Sequence, residues 1–418
     1  MKRLLCTLTI CCISLASLFA EIYPSKRFVE VGLDFGVAAG QNAFGLKDVL
    51  VKDLVIDFNK LYEGMGGSDF KLNLGFNQGY HFNVIVNGFG AGITENLELH
   101  TNLSIDNAFF RLLAEGNELN ESETIGTTLS FESFLSSSIP VHFKIGKLGI
   151  MVEPTYFIPL AYMPSPRMEA TYTTSADGKL TLDAKANFDL YTAFDLSPLL
   201  SEPKGEIDFT KLPEEAKNGG LDLSARVEYP LFDFLDIGGY ATIPIFPGKL
   251  HYHAYGTATF DFTMDGFLDW WTSDPDTRAE KPYEFNEPDW SGVMFDEEGF
   301  NVNRPLRLGV EAAWRPIGNW FVVHPKLGVA ARNPFGKDFG IHNLFPEYSI
   351  SANMTFLYVF GFNLSTAYEN QTFTHSAGLS LNARVLELDF SVGTSNSDFR
   401  KSFSLGGAQA TLGVKMGF

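Results

Sequence analysis

A pair of histidines is the clearest set of side chains in this sequence that could do chemistry. His251 and His253 stand two residues apart in a stretch that alternates like a β-strand, so both rings share one face and could chelate a metal ion. No third ligand is evident near them in the sequence. The alternative is that both rings simply line one face of a barrel lumen, and we therefore predict no metal and no other cofactor.

The stretch 265–301 is the main compositional outlier, because it is rich in acids and aromatic rings. Its basic residues are only Arg278 and Lys281. Calcium binding or contact with a host surface would use such side chains, but the spacing and central glycine of an EF-hand are missing. The alternative is a solvated loop whose Trp270 and Trp271 lie at the headgroup level of a membrane.

No catalytic motif stands in a context that would support an enzyme. The GxSxG, HExxH, P-loop and GxGxxG patterns all fail this test. All three cysteines, Cys6, Cys11 and Cys12, lie within the first 20 residues. If that segment is removed, disulfides, cysteine-bound metals and a cysteine nucleophile are excluded. We predict that the protein is not an enzyme.

The charge balance excludes a further class of partner. The sequence has 50 acidic against 31 basic residues and a formal net charge of −19. Binding of nucleic acid needs a basic surface for the phosphates. We therefore predict no nucleic-acid partner.

The elements that would position any such residues are mostly strands, and the last one is the clearest. From Gly406 to Phe418 the even positions are apolar and the odd positions are polar or small, which predicts a strand with one apolar face. The apolar face includes Leu412, Val414, Met416 and Phe418. A closing strand with a terminal aromatic residue is typical of bacterial outer-membrane β-barrels.

The first 20 residues have the pattern of a secretory signal peptide. Lys2 and Arg3 precede an uncharged apolar run from Leu4 to Ala20. A lipoprotein signal using Cys11 or Cys12 and a retained anchor are the alternatives. We expect secretion to the periplasm and location in the cell outer membrane.

The remaining sequence predicts a transmembrane antiparallel β-barrel of about 14–16 strands. After residue 20 no apolar stretch approaches the roughly 18–20 residues of a spanning helix, so only a closed barrel could satisfy the backbone in a membrane. The 39 Phe, 15 Tyr and 39 Gly residues suit alternating strands with aromatic girdles and tight turns. Counting back from the last strand puts short joints at 316–319, 357–359 and 384 on one side. The stretches 265–301, 333–345, 369–372 and residue 401 then fall on the other side, which we expect to face outward.

One segment departs from the strand pattern. Between residues 45 and 65, apolar residues recur at three- and four-residue steps, which predicts an amphipathic helix that Gly66 and Gly67 end. We therefore divide the chain into a signal peptide at 1–20, an N-terminal plug segment at 21–67 and a barrel at 68–418. In this arrangement the helix lies in the lumen, and the last strand closes against the first strand after the plug.

Taken together, the signal peptide, the helical N-terminal segment, the strands and the terminal Phe418 resemble the long-chain fatty-acid transporter barrels of the FadL type. The phrasing is similar to FadL-like outer-membrane proteins of spirochaetes such as Treponema. The resemblance is architectural, because AGQNAFG at 39–45 lacks the proline of the family's Asn-Pro-Ala plug element.

The resemblance implies passive uptake of a hydrophobic molecule such as a fatty acid, through an apolar pocket above the plug and a sideways exit at a kinked strand. It also implies outer-membrane lipid and the barrel assembly machinery as partners. The candidates for the pocket floor are Leu50, Leu54 and Phe58. The candidates for the kink and lateral gate are Gly88, Gly90 and Gly92, where missing side chains weaken ladder packing.

Two other functions stay open. A general porin would conduct small polar solutes through an open lumen. A surface adhesin or structural barrel would act only through the acidic aromatic loop 265–301, by contact with a host surface.

Overall fold

The computed structural model is built almost entirely of β-strands. It describes residues 27–43, 58–86, 88–116, 118–164, 166–176, 179–198, 212–265, 283–286, 289–332, 334, 339–357, 359–403 and 407–418. Within these ranges no helix has the length and hydropathy that crossing a bilayer requires.

The strands follow the alternating segments of the sequence. In chain order they are β1 (Val29–Gln41), β2 (Phe70–Val86), β3 (Phe89–Ile105), β4 (Ser122–Ser138), β5 (Val141–Ile145), β6 (Leu148–Met163), β7 (Arg167–Thr174), β8 (Lys179–Thr192), β9 (Gly220–Phe232), β10 (Leu235–Phe246), β11 (Gly248–Leu250), β12 (Tyr252–Asp265), β13 (Tyr283–Phe285), β14 (Val293–Asp296), β15 (Phe300–Val302), β16 (Leu306–Trp314), β17 (Phe321–Ala331), β18 (Leu344–Phe356), β19 (Phe360–Glu369), β20 (Thr372–Asn382), β21 (Leu386–Asn396) and β22 (Gly407–Gly417).

The helices are short. They are α1 (Phe58–Met65), α2 (Asn107–Glu115), α3 (Leu212–Glu215) and α4 (Phe399–Ser402), together with the 3-10 turns Ala216–Asn218 and Ile341–Asn343.

The antiparallel ladders close into a ring, which confirms the predicted barrel. Around the ring the order is β1, β2, β3, β4 continued by β5, β6, β9, β10, β16, β17, β18, β19, β20, β21 and β22. β1 pairs with β2 on one side and with β22 on the other. No edge remains in this ring, so every wall strand has both neighbours that its backbone needs.

A second ladder extends one end of the wall. The far end of β4 pairs with β7, β7 with β8, β8 with β12, and β12 with β13 and β14. The hairpin predicted around residues 175–178 is confirmed as β7 and β8. It stands in this extension, above β9 and β10.

The direction of the side chains is inverted relative to a soluble protein. In β1 the apolar Val31, Leu33 and Phe35 are exposed on the outside, whereas Glu30 and Asp34 are buried on the inside. Because successive residues of a strand point to opposite faces, the alternation puts the polar set in the lumen. This is the pattern of a barrel with an apolar exterior.

The two ends of the barrel differ in the length of their connections. Short turns at 87–88, 146–147, 233–234, 315–320, 357–359 and 383–385 share one end, which we call the turn rim. The connections at 42–69, 106–121, 332–343 and 397–406, and the long segment 266–299, share the other end, which we call the loop rim. This sorting agrees with the one predicted from the sequence.

The closing partner of the last strand differs from the prediction. β22 pairs with β1, with Leu33 opposite Val414, and β1 lies inside the segment 21–67 assigned to a plug. The alternation of β1 was interpreted as broken at Gly36, but Gly36 lies on the luminal face, where a missing side chain leaves the outer apolar face intact. Residues 29–41 therefore belong to the barrel wall.

The predicted helix lies between β1 and β2. Its described part, α1, packs against α2 on the loop rim, and Gly66 and Gly67 at φ of +60° and +81° follow it. On the same rim Asp398 caps α4, and Lys401 Nζ donates to the Asn42 carbonyl at 3.0 Å. Burial lowers the pKa of Lys401. A luminal plug formed by α1 stays a prediction.

Candidate functional site in the lumen

The barrel interior holds a two-stranded ribbon that is separate from the wall. β11 and β15 pair with each other, with Leu250 opposite Phe300, and form their own sheet. Leu250 is fully buried and Val302 nearly so, and they form one cluster with Phe134 of β4 and Phe157 of β6. We call β11 and β15 the inner ribbon. It gives part of the lumen an apolar filling.

Two glycines let the ribbon and the wall approach closely. A Cβ atom on Gly220 would lie 2.3 Å from Phe157 Cζ, and one on Gly248 would lie 2.6 Å from Pro159 Cδ. No side chain fits at such distances, so glycine is required at both positions. The close approach is what buries Phe157 completely.

Arg304, just after the inner ribbon, ties it to the wall. Its guanidinium lies 3.3 Å from Glu98 Oε1 on β3 and 3.6 Å from Asp222 Oδ2 on β9. It also lies 5.9 Å from the centre of the Phe157 ring. Arg304 therefore spans the inner faces of four neighbouring wall strands, β3, β4, β6 and β9. Asp222 is 1% exposed, and its oxygens accept no hydrogen bond among the described residues.

Five rings form a continuous stack beside the ribbon. Tyr162 stacks on Phe300 at 5.3 Å, and Phe300 on Tyr191 at 4.2 Å between ring centres. His253 follows at 4.1 Å from Tyr191, and Tyr255 at 4.6 Å from His253. We call these five residues the ring stack. It presents a flat, largely apolar surface to which rings and alkyl chains can pack.

The rest of the lumen is polar and its charges are paired. Arg226 is paired with Glu311, and Arg307 lies 3.2 Å from Glu347. Lys326 lies 4.3 Å from the centre of the Tyr240 ring. The lumen therefore has an apolar sector at the inner ribbon and a charged sector opposite it.

A charged network also joins the first and last strands at the turn rim. Lys415 Nζ lies 3.1 Å from Glu387 Oε1 and 2.9 Å from Asp389 Oδ2. The other contacts are Arg27 to Glu30 at 2.7 Å, Arg27 to Glu387 at 3.3 Å, His81 to Glu30 at 3.3 Å and His81 to Asp34 at 3.5 Å. We call these seven residues the seam network. It holds together the ends of the chain that close the ring.

Aromatic side chains ring the outside of the turn rim. They are exposed and stand at the ends of strands or in the turns: Phe28, Phe89, Phe232, Phe234, Trp314, Trp320, Phe356, Phe360 and Phe418. Aromatic rings in such a belt suit the interface between lipid and water.

The predicted pocket floor is mostly outside the described residues. Leu50 and Leu54 lie there, and Phe58 is half-buried at the start of α1 on the loop rim. The structure does not place Phe58 beside the inner ribbon.

The predicted gate glycines lie at the turn rim. Gly88 forms the turn after β2 with φ of +85°, and Gly90 and Gly92 begin β3. The ladder between β2 and β3 continues through both, and Gly92 N–H donates to the Pro140 carbonyl at 3.0 Å. The gate role therefore stays a prediction, on glycines that lie within hydrogen-bonded ladders.

The predicted apolar face of the last strand lies on the outside of the barrel. Leu412, Met416 and Phe418 are exposed there and Val414 is half-exposed. The Phe418 N–H and carbonyl both bond to Val29 at 3.1 Å.

The inner ribbon was missed in the sequence because each of its strands was joined to a neighbour. Residues 249–263 were predicted as one strand, and so were 302–314. Pro305 interrupts the second of these, since proline cannot donate to a ladder. That proline is the signal that could have separated Val302 from β16.

Comparisons with known proteins identify no family. No protein-family model matches the sequence, and no curated protein matches it. Solved structures that are similar include the toluene transporter TbuX of Ralstonia pickettii, at 9% identity and a TM-score of 0.44, over 94% of this chain and 90% of that chain. The toluene transporter TodX of P. putida has 8% identity and a TM-score of 0.43, over 95% and 91%. The translocator domain of the autotransporter NalP from Neisseria meningitidis has 11% identity and a TM-score of 0.34, over 95% and 91%.

Similarities of this size carry no argument about function, which has to rest on the barrel's own residues. The spirochaetal part of the resemblance stays a prediction.

Proposed function

We propose that this chain is an outer-membrane channel for the passive uptake of hydrophobic small molecules, long-chain fatty acids among them. The observation that carries the proposal is the apolar sector of the lumen, where the inner ribbon packs on Phe134 and Phe157 beside the ring stack. A lumen built only for polar solutes has no use for this surface, because ions and sugars gain nothing from stacked rings and aliphatic side chains.

The exterior supports the membrane location. Apolar side chains cover the outside of the strands, and the aromatic belt marks the turn rim. Outer-membrane barrels keep short turns in the periplasm and longer loops outside. We therefore propose that the turn rim faces the periplasm, after secretion of the chain, and that ligand enters from the loop rim.

The proposed path begins at the ring stack. A hydrophobic molecule arriving at the loop rim would leave water to contact Tyr191 and Phe300, gaining about 25 cal/mol for each Å² of apolar surface removed from water. The inner ribbon lies below this stack, so release into the barrel needs the ribbon or its neighbours to move.

The test is transport by full-length protein in liposomes. We expect uptake of toluene or oleate with little ion conductance in a planar bilayer, and reduced uptake in Phe300→Ala. Phe360→Ala, which removes an exposed ring from the outer face, is the matched control and should transport normally. Uptake of neither ligand above protein-free liposomes would refute the proposal.

A general porin is the second candidate, and the charged sector of the lumen favours it. Arg226, Arg307 and their carboxylate partners line a polar wall that could carry water and ions. Large, steady single-channel conductance by the unmodified barrel would support this candidate instead. An adhesin acting through 265–301 stays a prediction, because much of that loop lies outside the described residues.

A further inference from the structure

A histidine and two carboxylates meet where the wall extension leads into the inner ribbon. His253 of β12 is the cross-strand partner of Asp296 of β14, and Glu298 follows two residues later. One ligand atom from each of the three residues lies within 4.8 Å of the others. These residues are 43 or more positions apart in the sequence, so only the strand pairing brings them together.

The ring of His253 is held in one orientation and has one nitrogen to spare. Its Nε2 lies 2.9 Å from Asp189 Oδ1, and Tyr191 and Tyr255 stack on its two faces. An Nε2–H that donates to Asp189 leaves a lone pair on Nδ1. A carboxylate that fixes the outer nitrogen of a histidine in this way is the usual partner of metal-binding histidines.

That lone pair faces a carboxylate. Nδ1 of His253 lies 3.6 Å from Asp296 Oδ1, which is too long for a hydrogen bond, and Nδ1 has no hydrogen-bond partner among the described residues. His253 is only 8% exposed. A lone pair and a carboxylate oxygen repel each other unless a cation lies between them.

We propose that His253 Nδ1, Asp296 and Glu298 bind a divalent transition-metal ion, with Asp189 orienting the histidine. One imidazole and two carboxylates form a donor set that suits Zn²⁺ better than Ca²⁺ or Mg²⁺, which prefer oxygen ligands alone. Glu298 is exposed, so water can complete the coordination shell.

The site joins two parts of the barrel that otherwise meet only through backbone ladders. Glu298 stands two residues before Phe300, the first residue of the second ribbon strand. A bound ion would tie the entry of the inner ribbon to β12 and hold His253 within the ring stack. Metal binding itself does not depend on which solute the barrel carries.

The test is titration of metal-stripped, full-length barrel in detergent with Zn²⁺ by calorimetry. We expect one saturable site per chain, and Co²⁺ bound there should give visible absorption bands. His253→Ala should abolish this site, and Asp296→Asn or Glu298→Gln should weaken it at least tenfold. Asp189→Asn should weaken it about 10- to 100-fold, as expected for a residue that orients a ligand.

Two neighbouring substitutions are matched controls. His251→Ala and Glu297→Gln change the same residue types nearby but lie outside the cluster, and both should bind Zn²⁺ normally. A heat-sensitive shift in electrophoretic mobility would verify that each variant is folded. If His253→Ala does not fold, Glu298→Gln decides, because its side chain is exposed.

The absence of saturable Zn²⁺ binding would overturn the proposal, and so would binding that survives His253→Ala. Ca²⁺ binding of equal affinity that ignores His253 would instead indicate an acidic surface without a built site, and would overturn it too.

Discussion

Replacing Arg304 with methionine should detach the inner ribbon from the wall. Asp222 is buried, and Arg304 is its one ion-pair partner among the described residues. Removing one partner of a buried ion pair costs about 3–5 kcal/mol, since the remaining charge is left in a poorly solvated place. The contact with Glu98 adds little, about 0–1 kcal/mol, because both groups are partly exposed. We therefore expect Arg304→Met to lower the free energy of unfolding by about 3–5 kcal/mol.

The assay is urea unfolding of the barrel in lipid vesicles, followed by tryptophan fluorescence. Arg167→Met is the matched control, because Arg167 forms its 3.1 Å pair with Glu169 at the surface, where both side chains are more than half exposed. That variant should lose less than about 1 kcal/mol. Planar bilayers provide a second measurement, and we expect larger ion conductance from Arg304→Met as the ribbon loosens.

A second substitution separates the buried charge from the lost side chain. Asp222→Asn added to Arg304→Met removes the unpaired carboxylate and should recover about 1–3 kcal/mol, the range of coupling for residues in contact. If Arg304→Met costs no more than Arg167→Met, or if Asp222→Asn recovers nothing, the ribbon is not anchored in this way.

Two further predictions concern the wall. Lys415→Met should lower the free energy of unfolding by about 1–3 kcal/mol in the same assay, because Glu387 and Asp389 lose a cation that is 22% exposed; an unchanged midpoint would show that the seam network is solvated. Gly309→Ala should cost about 1–3 kcal/mol by overpacking, because its Cβ would lie 2.4 Å from Tyr240 Cζ and 2.6 Å from the Leu327 carbonyl. Gly75→Ala, whose nearest contact would be 3.7 Å, is its control and should be neutral.

The wall of the barrel could be predicted because its signal is local. Strands expected at 360–368, 373–383 and 386–394 lie within two residues of the ends of β19, β20 and β21. An alternation of period two needs no knowledge of the partner strand. Glycines on the luminal face hid β1, because the pattern there survives only on the outer face.

The interior could not be predicted, because it depends on which strands become neighbours. Arg304 meets Glu98 and Asp222 only after the ring of ladders has brought β3 and β9 to the same side of the lumen. The same holds for His253, whose carboxylate neighbours come from β8 and from the end of β14. The missing third ligand of the histidine pair lay about forty residues further along the chain.

The pairing of β1 with β22 also has a consequence for how the barrel forms. This ladder joins residues from nearly opposite ends of the chain, with Glu30 opposite Gly417. Contacts so distant in sequence form slowly, whereas the hairpins from β16 to β22 can assemble locally. Until closure, β1 and β22 are both open edges with unpaired backbone groups, which are prone to pair with other chains. Closure is therefore the step at which an assembly factor, or the lipid itself, has the most to protect.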